Sequence, residues 1–184
     1  DMLDLEDVSN QYKVIVLPDT LTLTEEICTV LKGYLAGGGK LLASGKSALY
    51  NGNFAFDLGA KYIGEDELQP CYFQPNYPVK YFREEPLVIK AKTEQVEGTG
   101  KVLAKKLYPY FNRSAESFCS HLHTPCDYEK EGAGITQGKD GAYISAHIFA
   151  DYKRTGNMAV KLLVTPILDD LLGERIVRTN LPSQ

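Results

Sequence analysis

Lys13-Val14-Ile15-Val16-Leu17-Pro18-Asp19 is the stretch on which the fold turns. Its apolar, β-branched run is what a strand buried on both faces requires, and Pro18 and Asp19 stop it. Thr24 then stands at a helix N-cap position, with Glu25 and Glu26 placing negative charge in the first turn. Ile27, Val30, Leu31, Tyr34 and Leu35 follow at helical spacing and make one apolar face. Gly37-Gly38-Gly39 supplies the left-handed residue that closes a helix, and Leu41-Leu42-Ala43 reads as a second buried strand. Strand, helix and strand in this order predict a βαβ unit, and so parallel strands joined by a right-handed crossover.

Outward from this unit the signals are shorter. Residues 51–78 read as loop-rich, with Asn51-Gly52 and Pro75-Asn76 as turns. Val79-Tyr81-Phe82, Leu87-Val88-Ile89 and Val102-Leu103-Ala104 read as short β pieces, and residues 109–131 as irregular. Ala133 to Thr136, a Gly138-Lys139-Asp140-Gly141 turn and Ala142 to Ala146 predict a β-hairpin. A last helix is expected over residues 157–172, with Val160, Leu163, Ile167 and Leu171 on one face and Pro166 kinking it. No repeat or low-complexity tract divides the chain, so one α/β domain over residues 1–184 is the expectation.

Composition excludes more than it identifies. The 184 residues are 43% apolar and 24% charged, which suits an ordinary soluble domain that needs no metal or disulfide staple. A net charge of −4, with no basic stripe, argues against a nucleic-acid partner. No apolar run is long enough for a membrane helix, and the acidic start Asp1-Met2-Leu3-Asp4-Leu5-Glu6-Asp7 is unlike a signal peptide, so a cytoplasmic location is expected. Cys28, Cys71, Cys119 and Cys126 are irregularly spaced and form no disulfide framework.

Few residues propose chemistry. Gly45-Lys46-Ser47 imitates the end of a phosphate-binding loop, but the first glycine of that motif would have to stand at Lys40. Cys119, His121 and His123 would share one side of an extended segment, and with Cys126 they make a donor set chemically suited to zinc. The spacing matches no established zinc pattern, so no metal or other cofactor is expected, and His121 and His123 remain candidates for ligand binding. Asp19 is a third candidate, because ligands of open α/β sheets bind beyond the carboxyl ends of strands. Glu65-Asp66-Glu67 and Asp151-Tyr152 are further acidic candidates, with solvated turns as the simpler reading. Asn112-Arg113-Ser114 is a formal glycosylation sequon.

The segments Tyr12 to Asp19, Leu23 to Glu26 and Leu31 to Gly45, with the later Gly138-Lys139-Asp140-Gly141-Ala142-Tyr143-Ile144, resemble the trimerisation domain of certain β-galactosidases and α-L-fucosidase-like glycoside hydrolases. Phe118 to Pro125 is similar to a segment of the latter branch. The resemblance implies a flavodoxin-like, class I glutamine-amidotransferase-like fold: a mostly parallel sheet flanked by helices, here with an additional β-rich, loop-rich segment. Amidotransferases of this class place a nucleophilic cysteine after the strand, with a His-x-Glu pair. This chain has Ser44-Gly45-Lys46-Ser47-Ala48 at that turn and His121-Leu122-His123 elsewhere.

In the related glycosidases the domain is non-catalytic; it packs against the barrel, joins subunits and can help wall the active site. The implied function is therefore structural, with no catalytic residues. The implied partners are the catalytic barrel of the same polypeptide and further copies of the chain. The enzymatic alternative is an independent amidotransferase-like hydrolase using Ser47 or Cys119, and a third reading is a small-ligand- or metal-binding module at His121 and His123. The family domain opens with a further strand and helix before the part matching Leu5 to Leu17, and Arg175 to Pro182 reads as a lead into another domain. The chain is thus expected to be a piece of a longer multidomain glycosidase.

Overall fold

In the computed structural model, which describes residues 12–174, the two apolar runs form β1 (Val14–Leu17) and β2 (Lys40–Ser44). They pair in parallel, with Val14 opposite Lys40 and Leu17 opposite Ala43. The helix between them, α1 (Glu25–Ala36), starts where Thr24 accepts the Ile27 N–H at 3.2 Å. Its left-handed residue is Gly38, at φ +93°, one place after the cap. The turn closes beneath the Tyr34 ring, which a Cβ on Gly39 would approach to 2.1 Å. The acidic start and the Arg175 to Pro182 segment read from the sequence lie outside the described residues.

The chain leaves β2 for β3 (Leu49–Tyr50), β4 (Asn53–Phe54), β5 (Ala60–Glu65), β6 (Cys71–Pro75), β7 (Leu87–Ile89), β8 (Glu94–Gly98), β9 (Lys101–Pro109) and β10 (Cys126–Gln137). It returns in β11 (Gly141–Ile144), parallel to β2 on the side away from β1. The main sheet is ordered β1-β2-β11-β10-β9-β6-β7, while β3–β4 and β5–β8 form two small antiparallel sheets. Two of the six pairings in the main sheet are parallel, so the sheet is mixed and not mostly parallel as expected. The reason is connection length. The short turn from Gln137 to Gly141 permits only an antiparallel β10–β11 pair, and β9 and β6 extend that ladder.

Three expectations fail locally, one of them the irregular stretch 109–131, whose last residues from Cys126 on belong to β10. β5 and β6 lie inside the stretch read as loop, and Val79 to Phe82 is a turn in which Tyr81 takes φ +69°. The hairpin is as read, and the last helix has its expected span: α3 (Met158–Leu172), with Pro166 inside it, is capped by Asn157, whose Oδ1 accepts the Ala159 N–H at 3.0 Å, and it follows α2 (Ile148–Thr155). Along β2 and β11 successive side chains enter opposite cores. Leu42, Ala142 and Ile144 join Phe73, Ile148, Leu163 and Ile167 on the α3 face. Leu41, Ala43 and Tyr143 join Cys28, Leu31 and Tyr34 of α1 on the other. Among the described residues no helix is long and apolar enough to cross a membrane.

Candidate functional site

The parallel strands β1, β2 and β11 end at one edge of the molecule, the edge where open α/β sheets bind ligands. Antiparallel pairing brings the start of β10, the end of β9 and the start of β6 to the same edge. Asp19, the turn 45–48, His147 and the loop 110–125 therefore meet at one end of the fold.

Asp19 is buried, and its groups are spent within the chain. Its Oδ1 accepts the Ser44 hydroxyl at 2.6 Å and the Phe149 N–H at 3.3 Å, and Oδ2 accepts the Ala150 N–H at 2.6 Å. These amides open α2, whose cap residue His147 makes no side-chain capping bond. A carboxylate from the turn after β1 thus fills the anion position of the α2 N-terminus. Asp19→Ala is expected to cost about 2 kcal/mol, because it strips the cap and leaves the Ser44 O–H without its acceptor, while Ser44 Oγ keeps the backbone N–H of residue 19. Urea unfolding measures this, and a loss below about 0.5 kcal/mol would show that the cap is dispensable.

Ser47 is fully buried; its hydroxyl donates toward Leu17 O at 2.5 Å and Ser44 O at 2.8 Å and accepts the Ser44 N–H. Residues 45–48 form a turn with no helix behind it, so the phosphate-loop imitation has no helix N-terminus to offer. Beside this turn lie groups that the sequence reading missed. Glu94, fully buried, accepts from Tyr62 at 3.0 Å through Oε2 and pairs through Oε1 with His147 Nε2 at 2.8 Å. Burial, reinforced by the Glu94 carboxylate, pushes the Tyr62 hydroxyl up to about 12. Glu94 and His147 have the composition of an acid–base pair, but among the described residues the hydroxyl bonded to this pair is that of Tyr62, which burial and the Glu94 carboxylate hold protonated.

The acidic turn 65–67 divides into three roles. Glu65 stays exposed and bridges Lys46 and Lys92, which hold its carboxyl down at about 2. Asp66 is buried, pairs with Lys106 Nζ at 2.6 Å and accepts from Tyr108 at 3.1 Å. Lys106, itself fully buried, also donates to Glu94 O at 2.6 Å. Glu67 gives its carbonyl to the Asn112 amide, while Asn112 Oδ1 accepts the Gln69 N–H at 2.7 Å. The sequon asparagine is therefore engaged at both ends. Asp151, in α2, is buried against Arg154 at 2.5 Å. Burial pushes the Cys71 thiol up to about 11, so it is a protonated core group and not a nucleophile.

The segment 119–125 is a series of bends and not the extended strand that would align Cys119, His121 and His123. Cys119 Sγ lies 3.6 Å and 3.7 Å from the carbonyls of His121 and His123, and Arg113 donates to the carbonyls of His121 and Leu122 at 3.1 Å and 2.7 Å. Among the described residues no group of three or more His, Cys, Asp or Glu side chains is placed to hold a metal ion. His121 is exposed and His123 half-buried. The same loop and its flanks expose large apolar side chains: Tyr110, Phe118, Leu122 and Tyr128, with Leu122 75% accessible.

No protein-family model matches the chain, and no curated protein does. Among solved structures, its whole length is similar to part of an α-L-fucosidase, isoenzyme 2 from Paenibacillus thiaminolyticus, at 36% identity and a TM-score of 0.93. The chain covers 29% of that protein. It is also similar to the GH42 β-galactosidase Gan42B, over 82% of this chain and 22% of that one, at 18% identity and a TM-score of 0.52. At that identity the second likeness shows the fold alone. The chain thus spans under a third of either enzyme and corresponds to a domain found within larger glycoside hydrolases.

Proposed function

We propose that the chain is a non-catalytic assembly domain of a glycoside hydrolase, of the trimerisation type, packing against a catalytic barrel in the same polypeptide and joining subunits. One observation carries this reading. At the edge where an α/β domain would hold its chemistry, the candidate groups Asp19, Ser44 and Ser47 are consumed by internal hydrogen bonds, while the neighbouring loop turns apolar side chains outward. The parallel strands β1, β2 and β11 with α1 are the part that supports a flavodoxin-like origin. An exposed group of this kind is a contact surface. His121 and His123 lie on that loop, where they are available to a ligand or to a neighbouring active-site wall. The four cysteines, all unpaired, fit a reducing, cytoplasmic setting.

The rival reading, a hydrolase using Ser47 or Cys119, meets a buried hydroxyl in one case and a thiol held among backbone carbonyls in the other. Assays of the chain with aryl α-L-fucosides and β-galactosides are expected to show no turnover. In the full-length enzyme, the Ser47→Ala/Cys119→Ala variant is expected to keep its kcat within about twofold, since neither group would act on the transition state. A drop of a hundredfold or more, with the fold intact, would restore the enzymatic reading.

A further inference from the structure

We propose that the cavity roofed by the β6–β7 connection binds the terminal pyranose of a neutral saccharide. This site is separate from the strand edge described above, and it rests on the reading of the chain as part of a glycoside hydrolase. Residues 76–86 arch from the end of β6, and the arch is pinned at several points. Tyr77 donates its hydroxyl to Leu163 O of α3 at 2.8 Å, Gln74 Nε2 donates to Glu84 O at 3.0 Å, and Asn76 Nδ2 donates to Val102 O at 2.6 Å. The space beneath has a volume of about 630 Å³, within the span of about 300–1,000 Å³ common to small-molecule sites. At its tip Tyr81 holds φ +69°, with its side chain 82% accessible and outside the lining.

The lining decides the ligand class. Phe82, 40% accessible, presents an apolar ring to the cavity. Around it stand four planar, two-atom polar groups: the amides of Gln74 and Asn76, the guanidinium of Arg83 and the carboxylate of Glu84. The Arg83 and Glu84 groups can each span two adjacent hydroxyls, and with the amide nitrogens tied to backbone, Oε1 of Gln74 and Oδ1 of Asn76 are left as single acceptors. Among the described residues Arg83 has no ion-pair partner, so its donors are open to a ligand. A purely apolar ligand would desolvate all four groups without replacing their bonds. Lys105, also on the lining, is held by Glu131 at 2.7 Å, so a phosphate would find its charge already paired and would meet the Glu84 carboxylate beside Arg83. A pyranose, with an apolar C–H face and a rim of neighbouring hydroxyls, matches both the ring and the planar groups.

The test is an amide-resolved NMR titration of the 184-residue chain with methyl α-L-fucopyranoside and, separately, methyl β-D-galactopyranoside. The expected result is saturable shifts at Asn76, Phe82 and Arg83 with a Kd of about 1 mM for at least one glycoside. Phe82→Ala and Arg83→Ala, both at exposed positions, should each weaken binding at least ~10-fold while the rest of the spectrum stays dispersed. No saturable shift with either glycoside would overturn the proposal, as would saturation centred on residues 110–126 that neither variant changes. Sedimentation of the same samples separates this inference from the assembly reading. Phe82→Ala should leave self-association unchanged; an unaltered chain that self-associates but binds neither glycoside counts against the pyranose site alone, and an unaltered chain that binds a glycoside but stays monomeric counts against assembly alone.

Discussion

Lys106→Ala is expected to destabilise the domain by about 3–5 kcal/mol, because it leaves the Asp66 carboxylate buried without its counter-charge. The Lys106 and Asp66 side chains are 0% and 1% accessible, and their 2.6 Å contact ties β9 to the turn after β5. Lys106 also holds Glu94 O at the start of β8, so one ammonium group organises the floor beneath the strand edge. Lys106→Met combined with Asp66→Asn removes both charges together and should recover a substantial part of the loss. Urea unfolding followed by circular dichroism gives both values. A loss below about 1 kcal/mol in the single variant would mean that water reaches Asp66.

Gly141→Ala is expected to cost about 3 kcal/mol or more, or to yield no folded protein. A Cβ at this position would lie 1.9 Å from Leu41 O and 2.7 Å from Leu41 N. Both atoms belong to the backbone of the adjacent parallel strand, so no rotamer change relieves the collision, and β11 must separate from β2 at the centre of the sheet. The control is Gly33→Ala, inside α1, where a Cβ meets nothing within 4 Å. That change should stabilise the protein by up to about 1 kcal/mol through helix propensity. Thermal unfolding of the pair separates a steric glycine from an incidental one, and equal effects would contradict the register of β2 against β11.

The strand-helix-strand unit was legible because its signals are local: an apolar run, a capping threonine, a period of 3.6 and a glycine stop. The β10–β11 hairpin and the capped α3 were legible for the same reason. The antiparallel body of the sheet was not, because β6 pairs with β9 across a long connection that itself holds β7 and β8, and turn signals within it do not say which strand is the partner. β5 alternates faintly, with Tyr62 half-buried and Lys61 and Ile63 outward, and Gly64 and the shift in its pairing with β8 blur that period. The buried charges were nearly legible. Lys105 and Lys106 are adjacent in a strand and must face opposite sides, so one of them had to enter the interior once that strand lay mid-sheet. Nothing near His147 in the sequence points to Glu94, since the two meet only through the Thr93–Ala146 bridge.

Sedimentation velocity of the chain across a concentration series, beside the variant Phe118→Ser/Leu122→Ser, tests the assembly role most directly. Both substituted residues are largely exposed, at 72% and 75%, so the variant should remain folded. The predicted result is reversible self-association of the unaltered chain at micromolar concentration and a shift toward monomer of at least ~10-fold in the variant, as expected when anchors at the centre of an interface are removed. A chain that stays strictly monomeric at all concentrations, or one whose association ignores both substitutions, would contradict it.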